Sequence, residues 1–195
     1  MLLRQRPRLQ TENTLDPAAE IAHVHANFFR YAARQYDEAL AGVEAAEAQF
    51  GRKVLPLTRG ETLIAVGRAA ETVESFRELY DRIPVSWNQI HLAWALAAAG
   101  DESEARSVLK DIHDREAREY VWHQGIATAY AHLGEMDQAF KYLERSYEER
   151  EAWVALPFAP TFDPFRGDPR FDSIVRRIGS VAPDVNVPNA VGDPP

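Results

Sequence analysis

The sequence predicts an all-α chain of four antiparallel helix pairs followed by an aromatic C-terminal cap, and three observations carry that prediction. Gly67, Gly100 and Gly134 recur at intervals of 33 and 34 residues. Ala105 and Ala139 each stand five residues beyond a glycine, and Ala39 stands five beyond Arg34, which occupies the same place one interval earlier. Between these markers apolar residues such as Ile21, Val24, Phe28 and Tyr31 recur three or four positions apart, on one face of a helix. A constant period of this size marks one supersecondary unit repeated, each copy burying its apolar face against the next.

The elements follow in order. Asp16-Pro17 opens the first helix, because proline suits a first turn and not a helix interior. The first pair is expected over residues 18 to about 33 and 35–50, with Ala39, Val43 and Ala46 on one stripe and Gly51 as the C-cap. The second pair is expected at about 55–66 and 70–82, stopping before Pro84. It places Gly60 where close helix contact needs a small residue, and Thr72 where the other copies have alanine, which predicts looser packing there. The third pair is expected at about 85–99 and 102–114, the fourth at about 116–133 and 136–149.

Beyond Glu151 the pattern changes. Pro157, Pro160, Pro164 and Pro169 exclude one continuous helix, while Trp153, Leu156, Phe158, Phe162, Phe165 and Phe171 supply anchors for the open flank of the last pair. A short helix is expected from about 171 to 178. The organisation is thus an N-terminal arm over 1–17, a repeat array with its cap over 18–179, and a proline-rich tail over 180–195 expected to be disordered.

Composition narrows the function classes. A net charge of -8 disfavours nucleic acid as a partner, since phosphate contacts reward a basic face. No apolar run approaches the ~20 residues that span a bilayer, so no membrane partner is expected. The absence of cysteine removes disulfides and thiolate zinc sites. Met1 to Leu3 is far shorter than a secretory core of about 7 to 15 residues, and the Arg4, Arg6, Arg8 start meets Glu12 and Asp16 too early for a transit peptide. A cytoplasmic location is the expectation.

The period and its markers resemble the tetratricopeptide repeat (TPR). The small-residue position is held by Asn27, Gly60, Ala93 and Ala127, the glycine position by Arg34, Gly67, Gly100 and Gly134, and the alanine position by Ala39, Thr72, Ala105 and Ala139. Tyr130 fits the aromatic of that pattern and Pro84 its closing proline, whereas Asn27 and Arg34 depart from it. The resemblance implies a TPR-like superhelix.

A narrower likeness covers the C-terminal part. Tyr120-Val121, Ile126-Ala127, Tyr130-Ala131, Leu133-Gly134, Ala139-Phe140, Leu143-Glu144, Tyr147 to Arg150, Trp153, Phe162-Asp163-Pro164 and Gly167 to Phe171 carry it. They are similar to the final repeat and cap of bacterial TPR regions attached to winged-helix transcriptional regulators, serine/threonine kinases and adenylate cyclases. Thr161 departs, standing where that group often has arginine. The chain carries no glycine-rich phosphate loop, kinase signature or basic recognition helix, so this likeness implies a sensor or scaffold portion.

The resemblance also implies a concave groove lined by the first helix of each pair: Ile21, Val24, Phe28 and Tyr31; Val54, Leu57, Glu61 and Ile64; Trp87, Ile90, Trp94 and Ala97; Val121, Gln124, Thr128 and Ala131. The candidate binding residues are Phe28, Tyr31, Leu57, Glu61, Trp87, Ile90, Trp94, Gln124 and Thr128. Exposed, such a stripe exceeds what monomers tolerate and points to a protein or peptide partner, or an apolar small molecule. Alternatively, superhelical curvature or the N-terminal segment covers it. Val24, Leu57 and Ile90 occupy the positions where chaperone-binding arrays hold a carboxylate, and they cannot do so.

Nothing points to catalysis, a cofactor or a metal. His23 and His25, two residues apart, face different sides of a helix; His23 and His123 share an inward position and are expected to pack through hydrogen bonds. Glu44 with Glu47 and Glu71 with Glu74 lie on second helices, on faces expected to be solvated. Glu61 beside Trp94 is either a cation contact or a solvent-facing charge. The expected function is a non-catalytic scaffold that binds a protein or apolar ligand, and the alternative is the regulatory sensor portion of a larger bacterial signalling or transcriptional regulator protein.

Overall fold

The computed structural model describes residues 17–51, 56–151 and 157–179, and among them every regular element is helical. The elements are α1 (Pro17–Ala32), α2 (Tyr36–Phe50), α3 (Pro56–Ala65), α4 (Ala70–Arg82), α5 (Ser86–Ala99), α6 (Glu102–Glu116), α7 (His123–His132), α8 (Met136–Glu148), a 3-10 helix (Pro160–Phe165) and α9 (Pro169–Ile178). The arm before residue 17, Val54, Trp153, Leu156 and the tail from 180 lie outside the described residues.

The repeat shows most directly in its turns. Arg34, Gly67, Gly100 and Gly134 are all left-handed, with φ of 62°, 77°, 88° and 75°. Each turn closes with the same two bonds: Gly67 N–H to Ile64 O and Arg68 N–H to Leu63 O, Gly100 to Ala97 and Asp101 to Leu96, Gly134 to Ala131 and Glu135 to Tyr130, and likewise Arg34 to Tyr31 and Gln35 to Arg30. These are the paired bonds that satisfy a helix's last carbonyls when the chain reverses. Glycine suits the slot because it lacks the Cβ that penalises positive φ; Arg34 fills it at a cost of roughly 1 kcal/mol.

Packing follows the pairing. α1, α3, α5 and α7 form one row, each touching the next, and α2, α4, α6 and α8 flank them. α5 lies at the centre, with every residue from Asn88 to Ala97 buried. One core runs from Ile64 to Ile174, whereas Val43, Ala46 and Phe50 form a small separate core in the first pair. Gly60 lets Phe76 press on the α3 backbone, since a Cβ there would stand 2.1 Å from Phe76 Cζ. Thr72 is buried and its hydroxyl donates to Ala69 O at 2.8 Å. Beside it a cleft of about 340 Å³ opens between α2, α3 and α4, in line with the looser packing expected there.

Three expectations need correction. The helix placed from residue 116 begins only at His123, because α6 continues to Glu116 and the chain then turns, with Arg118 N–H bonded to Arg115 O at 2.8 Å. Val121 and Trp122, apolar and read as helical, instead form an extended anchor: Trp122 is buried and stacks on Trp87 at 4.4 Å. Phe158, expected as an anchor, is 53% exposed. The prolines allow more helix than expected, since Pro160 starts a 3-10 turn and Pro169 sits in the first turn of α9 behind Asp168, whose side chain accepts from Arg170 N–H.

A candidate functional site in the covered groove

The row formed by α1, α3, α5 and α7 brings together much of the stripe the sequence singles out, and the chain's own C-terminal segment lies across it. The 3-10 helix Pro160–Phe165 packs on α7 and α3. Its aromatic side is core: Phe162 and Phe165 are buried, Phe165 edge-on to Phe140 at 5.4 Å and Phe162 stacked on Phe171 at 5.6 Å. Its polar residues reach the groove. Gln124 Nε2 donates to Thr161 Oγ1 at 3.2 Å, and Thr128 Oγ1 lies 3.4 Å from the same oxygen. Asp163 accepts both prongs of Arg34, at 2.6 and 2.5 Å, and also Arg166 Nε at 2.7 Å. Burial pulls the Asp163 carboxyl upward, but the hydrogen bonds from Arg34 and Arg166 outweigh it and hold it below its ordinary value.

The cover leaves a cavity of about 210 Å³, walled by Tyr31, Glu61, Ile64, Ala65, Trp94 and His132 and roofed by Pro160, Asp163 and Pro164. Tyr31 is held well above its ordinary value, first by burial and then by the Glu61 charge. Burial pushes His132 down, which keeps its ring neutral. Glu61 Oε1 stands 3.5 Å from His91 Nε2, beyond hydrogen-bonding geometry, and Trp94 Nε1 has no hydrogen-bond partner.

Each predicted binding residue has a definite place. Tyr31, Glu61 and Trp94 meet at the cavity, and Gln124 and Thr128 meet at Thr161. Ile90 is wholly buried, and Phe28 and Leu57 are half-buried. Trp87 stacks on Trp122 and His91 and does not line the cavity. The exposed stripe is therefore a correction: Tyr31, Ile90, Trp94, Gln124 and Thr128 are buried. Among the described residues the cover is the C-terminal segment. Sequence reasoning missed Asp163, Thr161 and His132 as groove residues. A signal existed, since Arg34 and Thr161 are both departures from the repeat and cap patterns.

A second polar cluster lies at the start of α7. Glu151 accepts from Tyr120 Oη at 2.7 Å, Ser146 Oγ at 2.7 Å, His123 Nδ1 at 3.1 Å and the backbone N–H of His123 and Gln124 at 2.8 and 3.0 Å. Burial alone raises the Glu151 carboxyl, but these donors bring it down to about 2. His123 moves up, because Glu151 and Glu149 outweigh the burial that opposes its charge. His123, Glu149 and Glu151 come within 4.8 Å of one another, as metal ligands would. Both Glu151 oxygens are, however, already engaged by donors, two of them orphan amides of a helix N-terminus, so the cluster acts as a cap supplied from a distance. His123 is the hydrogen-bonded packing histidine expected from its position. His23, half-buried, meets Gln49 Oε1 at 3.2 Å and Phe50 edge-on.

Fold and groove define an all-α chain of stacked helix pairs with an internally covered face. Compared with models of known families, with curated proteins and with solved structures, the chain finds no match.

Proposed function

We propose that the chain is a non-catalytic, TPR-like binding module of the cytoplasm whose concave groove recognises a short segment of a protein partner. Its own residues 160–165 occupy that groove in place of the partner. The observation that carries this reading is the seating of Thr161 and Asp163: a turn of chain is held through a hydroxyl on Gln124 and a carboxylate on Arg34, and its prolines face Trp94 and Tyr31 across the cavity. Those are the contacts a peptide would make, polar groups setting register while aromatic side chains supply contact area. A tethered segment competes at an effective concentration of roughly millimolar, so a partner must either bind more tightly or arrive when the segment is loosened. The sensor portion of a larger signalling protein remains the alternative, using the same groove.

The test is a labelled peptide of residues 157–168 titrated into the intact chain and into Thr161→Ala/Asp163→Ala, in which the internal contacts are weakened. The peptide is expected to bind the double variant at least ~10-fold more tightly than the intact chain, and adding Arg34→Ala should remove the gain. Equal binding to all three proteins would refute the groove as the recognition surface.

A further inference from the structure

The cavity beneath the C-terminal segment is built unevenly with respect to charge. Asp163 on its roof is matched by Arg34 and Arg166. Glu61 on its wall is not: its side chain is 16% exposed, and among the described residues its single ion-pair neighbour is His91. His91 Nδ1 lies 2.8 Å from Trp87 O, which fixes that nitrogen as the donor. In the neutral ring Nε2 therefore turns a lone pair toward Glu61, and the carboxylate is left without a counter-charge. An uncompensated carboxylate in a largely buried site is costly, and the surrounding walls suit a cation better than an apolar molecule. Tyr31 and Trp94 offer π-systems to it, and the Trp94 indole N–H, buried and without an acceptor, is available to an oxygen on the same ligand.

We infer that this cavity binds a small organic ammonium ion carrying an oxygen substituent, with Glu61 as its counter-ion and Tyr31 and Trp94 as its aromatic walls. The inference rests on the groove being a recognition surface and names a second, smaller ligand for it. The size agrees: about 210 Å³ is room for about seven waters at ~30 Å³ each, and so for a handful of heavy atoms. Because Pro160, Asp163 and Pro164 form the roof, the ligand sits beneath the segment and holds it closed.

Choline is the probe, with 3,3-dimethylbutan-1-ol as its uncharged isostere, and the readout is the indole N–H resonance of Trp94 among those of the four tryptophans. Trp94→Phe assigns the signal; if that variant unfolds, contacts from the choline methyls to the indole ring assign it in the intact chain. Choline is expected to shift the resonance saturably, the neutral isostere to bind at least ~10-fold more weakly, and Glu61→Gln to abolish the difference between them. Equal binding of the two probes would make the cavity merely apolar. No binding of choline would overturn the inference and leave Glu61 to His91. The peptide titration is independent: a chain that takes the peptide and ignores choline keeps the groove and loses this ligand.

Discussion

Arg34 and Asp163, 129 residues apart in the chain, meet in a two-pronged ion pair that ties the turn of the first helix pair to the segment lying over the groove. Arg34 does so from a left-handed slot that glycine occupies in the other three turns. A bidentate guanidinium–carboxylate pair fixes direction as well as distance, so the tie orients the segment. Arg34→Gly relieves the backbone and removes the tie. The two side chains are 28% and 40% exposed, so solvent screening keeps the net change in global stability within about 1 kcal/mol. Amide exchange in residues 160–165 should nevertheless quicken by about tenfold while α5 and α7 keep their protection. Unchanged protection of 160–165 would mean that the pair does not hold the cover.

Glu151 makes a pH signature. Its folded value, about 2, lies below the ordinary 4.5, so the stability it contributes is present above pH 4.5 and is lost as the pH falls toward 2. His123 has the opposite sign: it is raised above 6.5, so its contribution is present below 6.5 and is lost as the pH rises through the raised value. Urea midpoints should therefore fall more steeply between pH 4.5 and 2 in the intact chain than in Glu151→Gln. Glu151→Ala leaves the amides of His123 and Gln124 without their acceptor, at roughly 1–3 kcal/mol per buried group. Its melting temperature at pH 7 should drop by more than about 5 °C.

Gly60 and Phe76 should behave as a coupled pair. A methyl at position 60 meets the Phe76 ring at 2.1 Å, against the body of a buried side chain. Gly60→Ala should destabilise by about 1–3 kcal/mol. Phe76→Leu, itself destabilising, should become less so in the Gly60→Ala background, because the ring that clashes is gone. Additive losses in denaturant melts of the two single variants and the double variant would show that α3 and α4 do not meet through this contact.

Local physics made much of this fold legible. Residues three or four apart share a helix face whatever the rest of the chain does, so Tyr31, Glu61, Ile64 and Trp94 were predictable as one lining and do line one cavity. The limits of α4 follow from Pro84 and from the turn at Gly67, and the helix occupies residues 70–82 as expected. Where the same reasoning failed, at 116–122, periodicity did not separate a helix from an extended anchor, because Val121 and Trp122 are apolar in either role and burial against Trp87 decides between them.

The sequence by itself determined the helices, their pairing through four left-handed turns, and the face that each first helix turns inward. Each of these depends on contacts within a few residues. Only the tertiary structure decided that the face is covered, by what, and with which polar ties. Thr161 meets Gln124 across 37 residues and Asp163 meets Arg34 across 129. Tyr120, Ser146 and Glu151 converge on α7 in the same way. No period encodes these distances: they follow from how the stacked pairs curve and where a proline-bounded segment can land, and the free energy that selects them comes from burying Phe162, Phe165 and Phe171 together.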